Sequence, residues 1–222
     1  HVPGMATIPA GERSHRGVRH QISIDRGKTI LFIGHDDALA GAEVALLNIM
    51  RWFHKKLNWK MILLLINCKN VLIGEFEQLC DVVCLEKYSK TFGNPLLRRS
   101  ALAARIGTVD LVYGNTVLSA NITDEISFLQ APVLFHIHEM ESMIGILLNS
   151  MAVRNLHCVP EHFISCSEAV TINLQTLHKI KPEKITTIEA FIEPPLPGSL
   201  KEKKMLRREL NWGQDTFIVL GC

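Results

Sequence analysis

The chain has 222 residues, 47% of them hydrophobic and 21% charged, which excludes disordered, collagen-like and low-complexity classes and fits one large domain, or one domain with part of a second. A chain this long hides roughly 70% of its unfolded surface on folding, so neither disulfides nor a structural metal are needed to hold it together. Its 24 Lys and Arg against 22 Asp and Glu leave a formal charge of +2, far from the basic surface that binding a phosphate backbone requires, so no nucleic acid partner is expected.

Residues 1–27 carry Arg13, Arg16, Arg19, Arg26 and scattered glycines without a sustained period, and read as a mobile leader. From Lys28 the texture changes. Residues 29–34 predict a buried strand, and residues 41–54 set Ala45, Leu46, Ile49, Met50 and Phe53 on one helical stripe. The alternation continues with predicted strands over 60–66, 81–85, 110–113, 133–137, 162–166 and 185–188, and predicted helices over 72–79, 95–106, 116–122, 141–154 and 168–177. Such an order predicts right-handed crossovers and an α/β, Rossmann-like parallel sheet covered by helices on both faces. Pro194, Pro195, Pro197 and Gly198 then mark a semi-rigid connector. The expected organisation is therefore one domain over 28–193, followed over 194–222 by a linker, a basic helix at 201–210 and the opening strand of a second domain at 216–222.

The longest apolar run, residues 61–66, is too short to cross a bilayer, and no signal-like segment is present; a cytoplasmic protein without a transmembrane segment is expected. The six cysteines lack paired spacing, and Cys80-x3-Cys84 has no second ligand pair to complete a zinc site. They are expected to be reduced.

In open parallel sheets ligands sit beyond the carboxyl ends of the strands, so the residues after each strand carry the information. The first strand runs into Gly34-His35-Asp36-Asp37-Ala38-Leu39-Ala40-Gly41-Ala42-Glu43, where small residues let backbone amides approach a ligand at a helix start that favours phosphate. A tight strand-to-helix turn with Gly41 near the N-cap is the alternative. The loop is neither a dinucleotide fingerprint nor a Walker A sequence. Tyr113-Gly114-Asn115-Thr116 puts an amide and a hydroxyl at the next helix start, where they either cap it or touch a ligand. In Phe135-His136-Ile137-His138-Glu139 a period of two sets both imidazoles on one face, with His138 at the strand tip. With no third ligand nearby in sequence no metal is expected, and His138 beside Glu139 is a candidate for contacting a polar substrate. Ser165-Cys166-Ser167-Glu168 reads as an N-cap. Acyl-transfer and metalloprotease motifs are absent and Asp36-Asp37 lacks the Asp-x-Asp spacing used to hold a metal-nucleotide, so simple hydrolysis is not supported.

Taken in order, ILFIGHDDALAGAEVALLNIMRWF, DLVYGNTVLSA, PVLFHIHEMES, FISCSEAVTINL, PEKITTIEAFIE and LRRELNWGQDTFIVLGC resemble the N-terminal half of family 4 of the retaining glycosyltransferases, from about residue 28 to the last. The resemblance implies the N-terminal half of a GT-B fold, and transfer of a sugar with retention from a nucleotide-sugar donor to a glycan, lipid or small-molecule acceptor, without a cofactor. It implies that Gly41 and Ala42, with Glu43 beside them, lie against the donor diphosphate and the acceptor, and that His138 contacts the donor sugar as the catalytic group, orienting it rather than attacking it. The family loop has two adjacent glycines where Ala40-Gly41-Ala42 supplies one. Asn115, Thr116 and Glu139, at neighbouring strand tips, complete the expected donor and acceptor site. The leaving diphosphate would be stabilised by backbone amides at a helix start, and the acceptor proton would pass to the departing phosphate, so no protein base is implied.

The resemblance further implies that the chain is an acceptor-side half, inactive alone, because the second domain with most donor contacts would begin near Thr216. The face such a domain would cover is a candidate for a homodimer contact, and peripheral membrane contact is compatible with the reading. Two other classes stay open: a non-catalytic carbohydrate or protein interaction module on the same scaffold, and a sugar-nucleotide epimerase of GT-B architecture. Acceptor choice is expected in loops 67–71, 87–94 and 121–131.

Overall fold

The computed structural model describes residues 27–189, 200–213 and 216–217. The expected leader, apart from Gly27, the proline-rich connector and the expected strand after Phe217 lie outside the described residues.

Seven strands, β1 (Thr29–Gly34), β2 (Lys60–Leu65), β3 (Asp81–Cys84), β4 (Leu111–Asn115), β5 (Val133–Ile137), β6 (His162–Ser165) and β7 (Ile185–Thr187), form one sheet in the order β3-β2-β1-β4-β5-β6-β7. Every neighbouring pair is parallel. The helices are α1 (Gly41–Lys56), α2 (Ile73–Glu77), α3 (Leu85–Thr91), α4 (Pro95–Ile106), α5 (Glu141–Leu147), α6 (Ser150–Cys158), α7 (Glu168–Thr176) and α8 (Leu200–Glu209), with 3-10 turns at Val117–Ile126 and Pro182–Lys184. The strand order runs outward in both directions from β1 and β4. Their carboxyl ends therefore form the crevice where a doubly wound sheet binds its ligands.

Local chemistry sets the element boundaries. The central strands are buried along their length, as the unbroken apolar runs ILFI and MILLL require for strands covered on both sides. The first helix ends at Leu57, and Asn58 takes a left-handed φ of 50° to turn the chain into β2. The Asn94 side chain caps α4 by accepting from the Leu96 amide at 2.8 Å, Pro95 occupies its first turn, and Gly107 ends it at φ 72°. The expected helix over 141–154 is two helices, because Leu148 is extended and the Asn149 side chain starts α6 by accepting from the Ala152 amide at 2.9 Å. Residues 116–122, expected to be α-helical, form the longer 3-10 segment, and the expected loop at 87–94 is largely α3. The helix expected over 72–79 is the shorter α2.

The described residues cover the two faces of the sheet unequally. On one face α4, the 3-10 segment and α5 to α7 pack against residues such as Leu31, Val112, Phe135 and Phe163. On the other, α1 and α2 cover Ile30, Phe32, Leu63 and Leu65, while Leu111, Leu134 and Ile164 further along are only partly buried and line an apolar groove of about 430 Å³ beside Ile49, Trp52 and Phe53. Cover on both faces is thus complete only around β1 and β2 among the described residues. No helix among them is long and apolar enough to cross a membrane.

Candidate functional site at the strand tips

The chain leaving β1 is held by carboxylates. Asp37, fully buried, accepts the Lys69 amide at 2.5 Å and the Val71 amide at 2.7 Å, and its own carbonyl accepts the Leu72 amide. This sews the loop before α1 to the loop after β2. Asp36, also buried, accepts the Ala38 amide at 2.9 Å and pairs with the Lys69 ammonium at 2.5 Å. Burial is the largest influence on the Asp36 carboxyl and pushes it up, but the Lys69 and Ala38 hydrogen bonds and the His35 charge together hold it below the usual carboxylate range.

Gly41 opens α1, behind Ala40 at the N-cap, which supplies no side-chain cap. The Gly41 and Ala42 amides have no partner among the described residues, as the geometry of a helix start dictates. A Cβ placed on Gly41 would meet nothing within 4 Å. The position is open to solvent, so the packing of the fold does not demand a glycine there. Glu43, in the first turn of α1, is buried without an ion-pair partner among the described residues, and burial followed by the Asp36 charge raises its carboxyl above the usual range. His35, Asp36 and Glu43 bring ligand atoms within 4.8 Å of one another, the grouping among the described residues dense enough for a metal. The Lys69 ammonium already supplies positive charge to its Asp36 corner.

The tips of β4 and β5 meet this loop. Asn115, 1% exposed, donates from Nδ2 to the Ala42 carbonyl at 3.0 Å, and its Oδ1 lies 3.1 Å from His138 Nε2. A carbonyl only accepts, so the amide nitrogen must face Ala42, and Oδ1 then obliges His138 to carry its proton on Nε2. The remaining nitrogen, Nδ1, is left as an acceptor. Burial holds His138 below the ordinary imidazole pKa, which keeps it neutral near pH 7.

Glu139 fastens the same corner: its Oε2 accepts both the Val117 and the His138 amides at 3.1 Å. Burial raises its carboxyl, and those amides oppose the shift. Before Val117, Thr116 sits at φ 75°, ψ 159°, a conformation that strains a β-branched residue, and its buried hydroxyl has no partner among the described residues. Gly114 is required by packing, since a Cβ there would lie 2.5 Å from the Phe135 ring.

Gly41, Ala42, Asn115, Thr116, His138 and Glu139 are thus brought together at the crevice, with Glu43 on the buried side of the α1 start. Sequence reasoning missed the Asp36, Asp37 and Lys69 stitching, whose signal was an acidic pair directly after a strand, and the role of Tyr113. The Tyr113 hydroxyl lies 2.7 Å from His136 Nδ1, and the His136 ring stacks 4.1 Å from that of His138. Burial, then the neighbouring His138, lowers His136 to about 3, and its Nε2 has no partner among the described residues. The two imidazoles share a face as the period of two predicts, but His136 is a buried support and His138 is the partly exposed member. Ser167 caps α7 by accepting from the Val170 amide at 3.3 Å, and Ser165 is buried in a hydroxyl cluster with Thr171 and Thr187.

No protein-family model and no curated protein sequence matches the chain. Among solved structures it is similar to HepE of Anabaena in complex with UDP-glucose, with a TM-score of 0.63 and 19% identity over 82% of this chain and 50% of that one. The complex of HepE with UDP and glucose gives a TM-score of 0.60 and 18% identity over 83% and 50%. A glycosyltransferase from Rickettsia africae gives 0.57 and 12% over 85% and 51%. The chain spans about half the length of these structures, and the likeness establishes its fold: a Rossmann-like α/β domain of the kind that forms half of a GT-B glycosyltransferase.

Proposed function

We propose that the chain is the N-terminal, acceptor-side half of a cytoplasmic, retaining glycosyltransferase of family 4 type, with residues 28–193 as its domain and the residues after them leading into a donor-binding domain. The observation that carries the reading is the Asn115 bridge, which ties the Ala42 carbonyl to the His138 ring and so makes one site of the β1 loop and the β5 tip. The amides of Gly41 and Ala42, at the positive end of α1, receive the donor diphosphate and stabilise its charge as the glycosidic bond breaks. His138 accepts a hydrogen bond at Nδ1 from a donor sugar hydroxyl and orients the ring. Glu139, which accepts the His138 amide, holds that imidazole in place. The acceptor hydroxyl gives its proton to the departing phosphate, so neither cofactor nor metal is assigned a step. The HepE complexes support a UDP-sugar as the donor class, through a shared fold.

The test is expression of the reading frame through the second domain, with product analysis on several UDP-hexoses. Transfer with retained anomeric configuration is expected, falling about 10²-fold in His138→Ala. Unchanged turnover by His138→Ala removes the histidine from the site, and free epimerised sugar in place of a glycoside makes the protein an epimerase. The 222-residue chain is expected to give negligible turnover alone. Tight glycan binding by it without turnover would favour an interaction module.

A further inference from the structure

A second cluster of reactive side chains lies one strand away from the candidate site and owes nothing to the proposed activity. Strands β2 and β3 are in register at Leu65 and Cys84, and the two chains stay side by side past their ends. The Glu86 amide donates to the Ile66 carbonyl at 3.2 Å. Cys68 follows Leu65 by three residues, and Cys84 is the partner of Leu65 at the end of β3. Both line one cavity of about 250 Å³, with Lys87 and Arg105 at its wall, and the Cys84 thiol is among the groups that push the Cys68 thiol up. Both are free. The other described cysteines are engaged elsewhere or remote: the Cys80 thiol donates to the Phe76 carbonyl at 3.4 Å, the Cys166 thiol to the His138 carbonyl at 3.8 Å, and Cys158 is exposed at the end of α6.

We propose that Cys68 and Cys84 form a reversible disulfide by exchange with a small-molecule disulfide such as oxidised glutathione, and that closure locks the loop between β2 and α2. One protein thiolate attacks a sulfur of glutathione disulfide, a protein–glutathione bond forms, and the glutathione S–S bond breaks to release one glutathione thiolate. The second protein thiolate attacks the protein-side sulfur of that mixed disulfide and expels the second glutathione. Two protein thiols are oxidised, glutathione disulfide is reduced to two glutathione thiols, and the two protons lost by the protein pass to the leaving thiolates.

The surroundings set the rate. Burial first, then the Cys84 thiol and the Asp37 charge, push the Cys68 thiol up to about 12, while Lys87 opposes them. Exchange is therefore slow near neutrality and accelerates as pH rises. Closure has a local consequence because Cys68 adjoins Lys69, whose amide and ammonium hold Asp37 and Asp36. The oxidised pair fixes that loop from its other side.

The test treats the reduced full chain with oxidised glutathione at several pH values, followed by alkylation, proteolysis and mass spectrometry. The expected product is a peptide pair joined through Cys68 and Cys84, lighter by two hydrogens, forming faster at higher pH, reversed by dithiothreitol, absent from Cys68→Ser and from Cys84→Ser, and retained in Cys80→Ser. Hydrogen exchange at the Lys69 and Val71 amides is expected to slow in the oxidised chain. Where circular dichroism shows that a serine variant does not fold, Cys68→Ala and Cys84→Ala take its place. Glutathione adducts that never resolve into the cross-link, a bond through Cys80 or Cys158, or oxidant consumed at Cys158 alone would overturn the pairing. A clean cross-link with unchanged exchange at Lys69 and Val71 would overturn the locking.

Discussion

The two sides of the crevice are built by different means. Beyond β1 the backbone is relaxed and is gathered by two buried aspartates, each with more than one partner. Beyond β4 and β5 the backbone is forced: Thr116 holds a positive φ with an unpaired hydroxyl, Gly114 is hemmed in by Phe135, and Glu139 clamps two amides at once. The first side leaves amides pointing outward, and the second spends its hydrogen bonds on fixing one imidazole. Asn115 is where they meet. A site with free amides at a helix start on one wall and an oriented acceptor atom on the other follows from that division.

The sharpest way to break the strained side is Gly114→Ala. Its Cβ would press on the Phe135 ring and on Ser119, and the expected loss is about 3 kcal/mol in urea unfolding, at the upper end of overpacking costs. A loss below about 0.5 kcal/mol would mean that β4 and β5 are not so closely apposed. The stitched side is broken by Asp37→Ala, which leaves the Lys69 and Val71 amides without their acceptor; about 2 kcal/mol is expected by the same assay.

His136 sharpens the contrast through pH. Its folded pKa of about 3 lies below the ordinary 6.5, so as pH falls through that interval the unfolded chain takes up the proton first. The contribution is complete above about pH 6.5 and is lost at about 1.4 kcal/mol per pH unit on acidification toward pH 3. Unfolding curves of the wild type and His136→Phe are expected to differ in slope over this window and to run parallel above it. The smallest effect is expected from Thr116→Gly. Relief of the positive φ offsets the entropy cost of glycine, leaving the variant within about 1 kcal/mol of wild type. A large loss would show that the threonine side chain, not the backbone, is what the corner needs.

The sheet was legible because its strands are uninterrupted apolar runs, and a period of two was enough to place His136 and His138 on one face. The helical stripe of α1 was legible for the same kind of reason, and its stop only slightly misjudged. What stayed hidden depended on partners distant in sequence. Nothing near Asp37 announces that Lys69 and Val71 will supply its hydrogen bonds. The break between α5 and α6 rests on one asparagine inside an otherwise helical pattern, where capping outweighs periodicity. Asn115 read foremost as a cap, with ligand contact as the alternative, and the structure gives it a third task, bridging two loops. The uneven cover of the sheet by the described residues was not legible either, since each strand carries apolar residues on both sides whether or not a helix lies over them.

The most direct measurement of the central claim is the tautomer of His138, read from long-range nitrogen–proton correlations of the imidazole at pH 7. The Asn115 bridge requires a neutral ring protonated on Nε2, with Nδ1 free to accept, and Asn115→Leu should release that preference. A ring protonated on Nδ1, or an imidazolium, in the wild type would contradict the account.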